Sequence, residues 1–116
     1  MTERAGFPKD LYEYWNRRFF RGRLPDIPVK WDNKSYSKGQ MKHKTGSAWF
    51  NHETKQPVKI TLNPKYRDSR CVWQATLLHE MVHVEQWKLP EKQAHGRKFK
   101  KRMRELAASG AFDLLW

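Results

Sequence analysis

The five residues His79-Glu80-Met81-Val82-His83 constrain this chain more than any other feature. They spell H-E-x-x-H inside residues 72–87, a stretch with helical periodicity. One broad arc of that helix is apolar, carrying Trp73, Leu77, Leu78, Met81 and Val84. The opposite arc carries Thr76, His79, His83 and Gln86. A helix this apolar is buried on most sides, so the fold must be built around it. Histidines four apart lie on one face, their Cβ atoms about 5–6 Å apart. Buried ring nitrogens need partners, and one metal ion can serve both rings. Zinc is the usual occupant; a catalytic site needs a third protein ligand and keeps a position for water. Glu80 is placed to take a proton from that water. The pattern implies metal-assisted hydrolysis, with peptides the first substrate class to consider. A hydrogen-bonded pair of core histidines is the competing reading.

At 116 residues the chain suits one domain, expected over residues 1–116 with its core at about 9–109. Aromatic residues make up 14% of it, six of them Trp, so a few large rings can fill a small core. The single cysteine, Cys71, excludes an internal disulfide framework and a cysteine-based zinc ribbon. No apolar run approaches the ~20 residues that span a bilayer. The first ten residues hold no signal-peptide core. The expectation is an intracellular protein, cytoplasmic or DNA-associated (nuclear in a eukaryote), not secreted and without a membrane partner. A net charge of +12 favours a polyanionic partner, nucleic acid above all.

The pattern along the chain predicts a first helix over residues 8–20. Pro8 suits its first turn, Asp10 and Glu13 its N-terminal end, and Arg17 and Arg18 its C-terminal end. Leu11, Tyr14 or Trp15, and Phe19 mark its apolar stripe. Ile27, Val29 and Trp31 alternate as a strand. The polar stretch 32–44 is expected to hold at most a short irregular strand. Residues 46–50 read as a firm strand, 52–56 as a turn, and Val58, Ile60 and Leu62 as a third strand. Asp68 or Ser69 caps the motif helix, which runs to about Lys88. Pro90 breaks the chain, and a polar loop over 91–94 leads to His95-Gly96. The last helix covers about 97–109, with Phe99, Met103 and Leu106 facing the core; residues 111–116 form a short apolar tail. Helix, three to four strands, helix, helix is an α+β arrangement. Short connections make the sheet mostly antiparallel, packed on the motif helix.

The third ligand must be a His, Asp or Glu brought back to the motif face. The metzincin spacing falls on Leu89, which cannot coordinate. His95, beyond a helix break, and Glu105, on the last helix, both remain open on the residues alone.

Four segments together resemble the SprT-like zinc metallopeptidase domain of the Spartan/SprT family: 15–24 (WNRRFFRGRL), 29–31 (VKW), 77–83 (LLHEMVH) and 95–103 (HGRKFKKRM). The resemblance covers about residues 9–109. It implies a small zincin-like (minimal metallopeptidase) fold and peptide-bond hydrolysis. It also implies that His95, within an H-G-x-x-F segment matched by Gly96 and Phe99, is the third ligand of one Zn2+ per chain. In Spartan itself it implies activity coupled to DNA and directed at proteins crosslinked to DNA. The paired cysteines of the zinc ribbon carried by many relatives are absent.

On this reading zinc is held by His79, His83 and His95, and Glu80 is the general base. Tyr66, Arg97 and His43 are the candidates for oxyanion donor. Two basic clusters are candidates for DNA contact: Arg17, Arg18, Arg21 and Arg23 after the first helix, and Arg97, Lys98, Lys100, Lys101, Arg102 and Arg104 on the last. With no base-reading motif, binding to single strands or duplex ends should be sequence-independent and salt-sensitive. The expected partners are a protein substrate and DNA, with the chain a monomer. The alternatives are a zinc peptidase with no nucleic-acid role, and a non-enzymatic nucleic-acid-binding domain with structural zinc. Glu80 argues against the last, since a structural site has no use for a base.

Overall fold

The computed structural model describes residues 7–88 and 95–112. Helix α1 spans Pro8–Phe19, and strand β1 follows at Val29–Trp31. Strands β2 (Gly46–Phe50) and β3 (Pro57–Leu62) form a hairpin. Helix α2, Arg70–Glu85, carries the histidine motif, and α3 spans Arg97–Ala108. The break at Pro90, the 91–94 loop, the first six residues and the tail beyond 112 lie outside the described residues.

Helix α1 buries Tyr12 and Trp15, with Leu11 and Phe19 packed at the margin. Tyr14, one of the two alternatives for the stripe, faces solvent. Tyr12 is buried although it is polar at its tip, because its hydroxyl donates to the Pro25 carbonyl at 2.6 Å. The Asn16 side chain completes the α1–β1 connection by bonding both the N–H and the carbonyl of Leu24.

The strand order is β1-β3-β2. Pairing of β2 with β3 is antiparallel, Ala48 opposite Ile60, whereas β1 pairs with β3 in parallel, Val29 opposite Ile60. The sheet is therefore mixed, where short connections suggested a mostly antiparallel one. The cause lies in the segment between β1 and β2. It forms two 3-10 helices, Lys34–Tyr36 and Gly39–His43, and not an irregular strand. That excursion carries the chain past one strand position and leaves a slot that β3 fills. Asp32 starts the excursion by accepting from Ser35 N and Oγ. The buried Tyr36 hydroxyl anchors it on Thr61.

Helix α2 lies over β2 and β3, with α1 and α3 against its flanks. Trp73, Leu77, Leu78, Met81 and Val84 are all buried, as their arc requires. Phe99 and Leu106 bury the inner face of α3, and Met103 is partly buried. Among the described residues no helix is long and apolar enough to cross a membrane.

Candidate metal centre

The outward arc of α2 presents His79 and His83, and the start of α3 returns His95 to them. The three Nε2 atoms form a triangle with sides of 3.0, 3.2 and 3.4 Å. Tetrahedral ligands at a zinc–nitrogen distance of ~2.1 Å stand about 3.4 Å apart, so the triangle fits a zinc ion after a small outward relaxation. Among the described residues this is the one cluster of three or more potential metal ligands. Glu105, the other candidate for third ligand, instead lies 3.8 Å from Arg102.

Electrostatics favour the ligating form of the rings. Burial pushes the His83 imidazole down to about 4, and neighbouring His79 and His95 add to the effect. His79 is lowered by burial and then by His95. Both rings are thus neutral near pH 7, with lone pairs available to a cation. Phe99 forms the apolar wall behind them. Its ring stacks on His83 at 4.6 Å and meets His79 and His95 edge-on at 4.8 and 5.2 Å.

Glu80 is held from the sheet side. The Ala48 N–H donates to Glu80 Oε1 at 3.0 Å, and Oε2 lies 3.9 Å from His79 Nε2. Burial pushes the Glu80 carboxyl up to about 7, against the opposing pull of the Ala48 N–H and the Lys44 charge. A carboxylate poised near neutrality suits a general base.

The Ala48 contact depends on Gly46. A Cβ on Gly46 would meet Thr76 Cγ2 at 2.7 Å, Leu62 Cδ2 at 2.9 Å and the Thr61 carbonyl at 3.0 Å. The missing side chain lets β2 close on α2 and brings Ala48 within reach of the carboxylate. The sequence marks residues 46–50 as a strand with an edge open to an extended substrate but not as a partner of Glu80; a glycine in a strand pattern, which marks close backbone approach, is the available signal.

Among the described residues, no hydrogen bond or ion pair joins Tyr66, Arg97 or His43 to Glu80 or to the imidazoles. Tyr66 ends a short 3-10 helix, His43 lies beside Tyr36 and Asn63, and Arg97 opens α3. Of the basic residues, Arg17, Arg18, Arg21, Arg23, Arg97, Lys98, Lys100, Lys101 and Arg104 are exposed. Arg102 is engaged internally: Nε donates to Glu85 at 2.8 Å, Nη2 donates to the Phe19 carbonyl at 2.7 Å, and the guanidinium lies over the Phe20 ring. It ties the middle of α3 to the C-terminal ends of α1 and α2.

The model of the SprT-like family matches residues 9–113 of the chain. No curated protein and no solved structure matches it.

Proposed function

The chain belongs to the SprT-like family, which is associated with zinc-metallopeptidase-like proteins, and from that membership we propose that it is a zinc-dependent endopeptidase acting on DNA-bound or DNA-crosslinked proteins. The observation that carries the hydrolytic reading is the convergence of three Nε2 atoms within 3.4 Å, with Glu80 Oε2 at 3.9 Å from one of them. His79, His83 and His95 would hold the ion, which when bound supplies Lewis acidity and lowers the pKa of water towards ~7.

The chain's own groups do the rest. Glu80 Oε2 takes the proton from the attacking water, while Oε1 stays fixed on the Ala48 N–H. Glu80 then delivers that proton to the leaving amine. Ala48 points its N–H away from β3, and alternation in an antiparallel ladder turns Gly46 the same way. With the Ala48 N–H held by Glu80, an extended peptide added to this edge of β2 would pair with the Ala48 carbonyl and the outward-facing groups of Gly46.

The net charge of +12 and the exposed basic residues of α1 and α3 support the association with DNA. The test is proteolysis of a basic DNA-binding protein by zinc-loaded chain, with and without single-stranded DNA. Cleavage that rises with DNA and vanishes in Glu80→Gln at equal zinc content is expected. Cleavage that survives in Glu80→Gln defeats the assignment of the base, and cleavage indifferent to DNA defeats the DNA association.

A further inference from the structure

A cavity of about 710 Å3 opens between the C-terminal end of α1 and α3, away from the imidazole cluster. Its charged lining is Arg18, Arg21, Arg23 and Arg102, with Glu85 and Glu105. Arg102 and Glu85 neutralise each other at 2.8 Å, and Glu105 stands 3.8 Å from Arg102. With Glu105 counted, the lining carries four arginines and two glutamates, a net charge of +2, and its positive excess comes from the three arginines at the end of α1. Among the described residues, the guanidinium groups of Arg18, Arg21 and Arg23 have no hydrogen-bonded or ion-paired partner; Arg18 only lies over the Phe19 ring.

Arg21 has φ 55° and Gly22 φ 70°, and the Gly22 N–H closes on the Asn16 carbonyl at 2.8 Å. The first left-handed residue after a helix is usually glycine, because a Cβ there is strained by about 1–2 kcal/mol. Here it is an arginine, so the chain carries that strain at a residue that lines the cavity. Lys55, in the turn between β2 and β3, has the same conformation (φ 68°), so the strain is compatible with a binding site and does not by itself mark one.

We propose that this cavity is a phosphate-binding site that grips the backbone of a nucleic-acid strand. Unpaired guanidinium forks match phosphate oxygens in charge and geometry. The space is polar and much larger than one phosphate, as a group carried on a strand requires. Phe99 packs on the imidazoles, and Arg102, three residues further along the same side of α3, lines the cavity. On α2, Glu85 lies about 200° around the helix from His83. The cavity lining includes none of His79, Glu80, His83 and His95, so a strand held there leaves the imidazole cluster uncovered. The inference deepens the DNA association proposed above and rests on it for the source of the phosphate.

The test is fluorescence anisotropy of a labelled oligothymidylate with zinc-loaded full chain, over a range of salt. Arg21→Gly should weaken binding about five- to tenfold while leaving the melting temperature equal or higher, because the strain is relieved. Adding Arg18→Gln and Arg23→Gln should bring the loss to about a hundredfold. It should also reduce the log–log salt slope by about 2, at ~0.7 for each phosphate contact. A control with Lys34→Gln, Lys38→Gln and Lys55→Gln removes the same charge elsewhere and should bind nearly as the wild type. Equal losses in the control, or wild-type binding by the arginine variants, overturn the site while leaving DNA association standing. An oligonucleotide that never binds, with inorganic phosphate raising the melting temperature of wild type but not of the triple arginine variant, overturns the strand and the DNA association together.

Discussion

Replacing Glu80 by glutamine removes a buried charge and keeps an oxygen to accept the Ala48 N–H, so its effect on stability can be worked out. The Glu80 side chain is only 12% exposed. Its carboxyl is raised from 4.5 to about 7, with burial the first cause. A raised carboxyl favours the folded state below its unfolded value and loses that advantage as pH climbs through the folded value. The gap, at about 1.4 kcal/mol for each factor of ten, is worth about 3 kcal/mol above pH ~7 and under about 1 kcal/mol near pH 5. Glutamine suffers no such loss. In metal-free protein, Glu80→Gln should therefore be more stable than wild type by about 3 kcal/mol near pH 8, and by little near pH 5. The lowered His79 and His83 act in the opposite sense, costing stability as pH falls below their ordinary 6.5, but they are common to both proteins and cancel in the difference. Urea unfolding of the two chelator-treated proteins at both pH values measures it. A difference that does not change with pH would refute the burial of Glu80 as the source of its raised pKa.

Three further outcomes follow from single contacts. Gly46→Ala should cut proteolysis about ten- to a hundredfold by pushing β2 off α2, and Thr76→Ser, which deletes the closest clashing atom, should restore part of it; steady-state kinetics of the single and double variants decide this. Phe99→Ala should cost about 3–5 kcal/mol of stability and weaken zinc binding about tenfold or more, measured by unfolding and by competition with a chelating dye. Arg102→Ala should destabilise the fold by about 2–3 kcal/mol in thermal or urea unfolding, because Glu85 and the Phe19 carbonyl lose their donor, with the zinc content of the folded fraction unchanged.

Much of the site could be read in the sequence because local geometry dictates it. Four-residue spacing places His79 and His83 together on any helix, and the burial of Trp73, Leu77, Leu78, Met81 and Val84 follows from their arc. Choosing His95 over Glu105 needed the resemblance, since both stand at plausible distances along the chain; the fold brings His95 to the cluster and turns Glu105 towards Arg102. The unread parts are tertiary. Arg102 is one of six basic residues from 97 to 104, and nothing local says that it alone reaches Glu85 and the end of α1. The polar segment after β1 has no apolar alternation, so its two 3-10 helices, and the parallel pairing of β1 that follows from them, left no period to detect. The Ala48–Glu80 bond joins a backbone N–H to a side chain 32 positions away.

The central claim is a three-histidine metal centre, and bound zinc per purified chain, measured by elemental mass spectrometry, tests it most directly. About one zinc in the wild type, lost from a still-folded His95→Ala protein, is the predicted result. A folded wild type that carries no zinc and takes up none on reconstitution, or a His95→Ala protein that keeps its full complement, would contradict it.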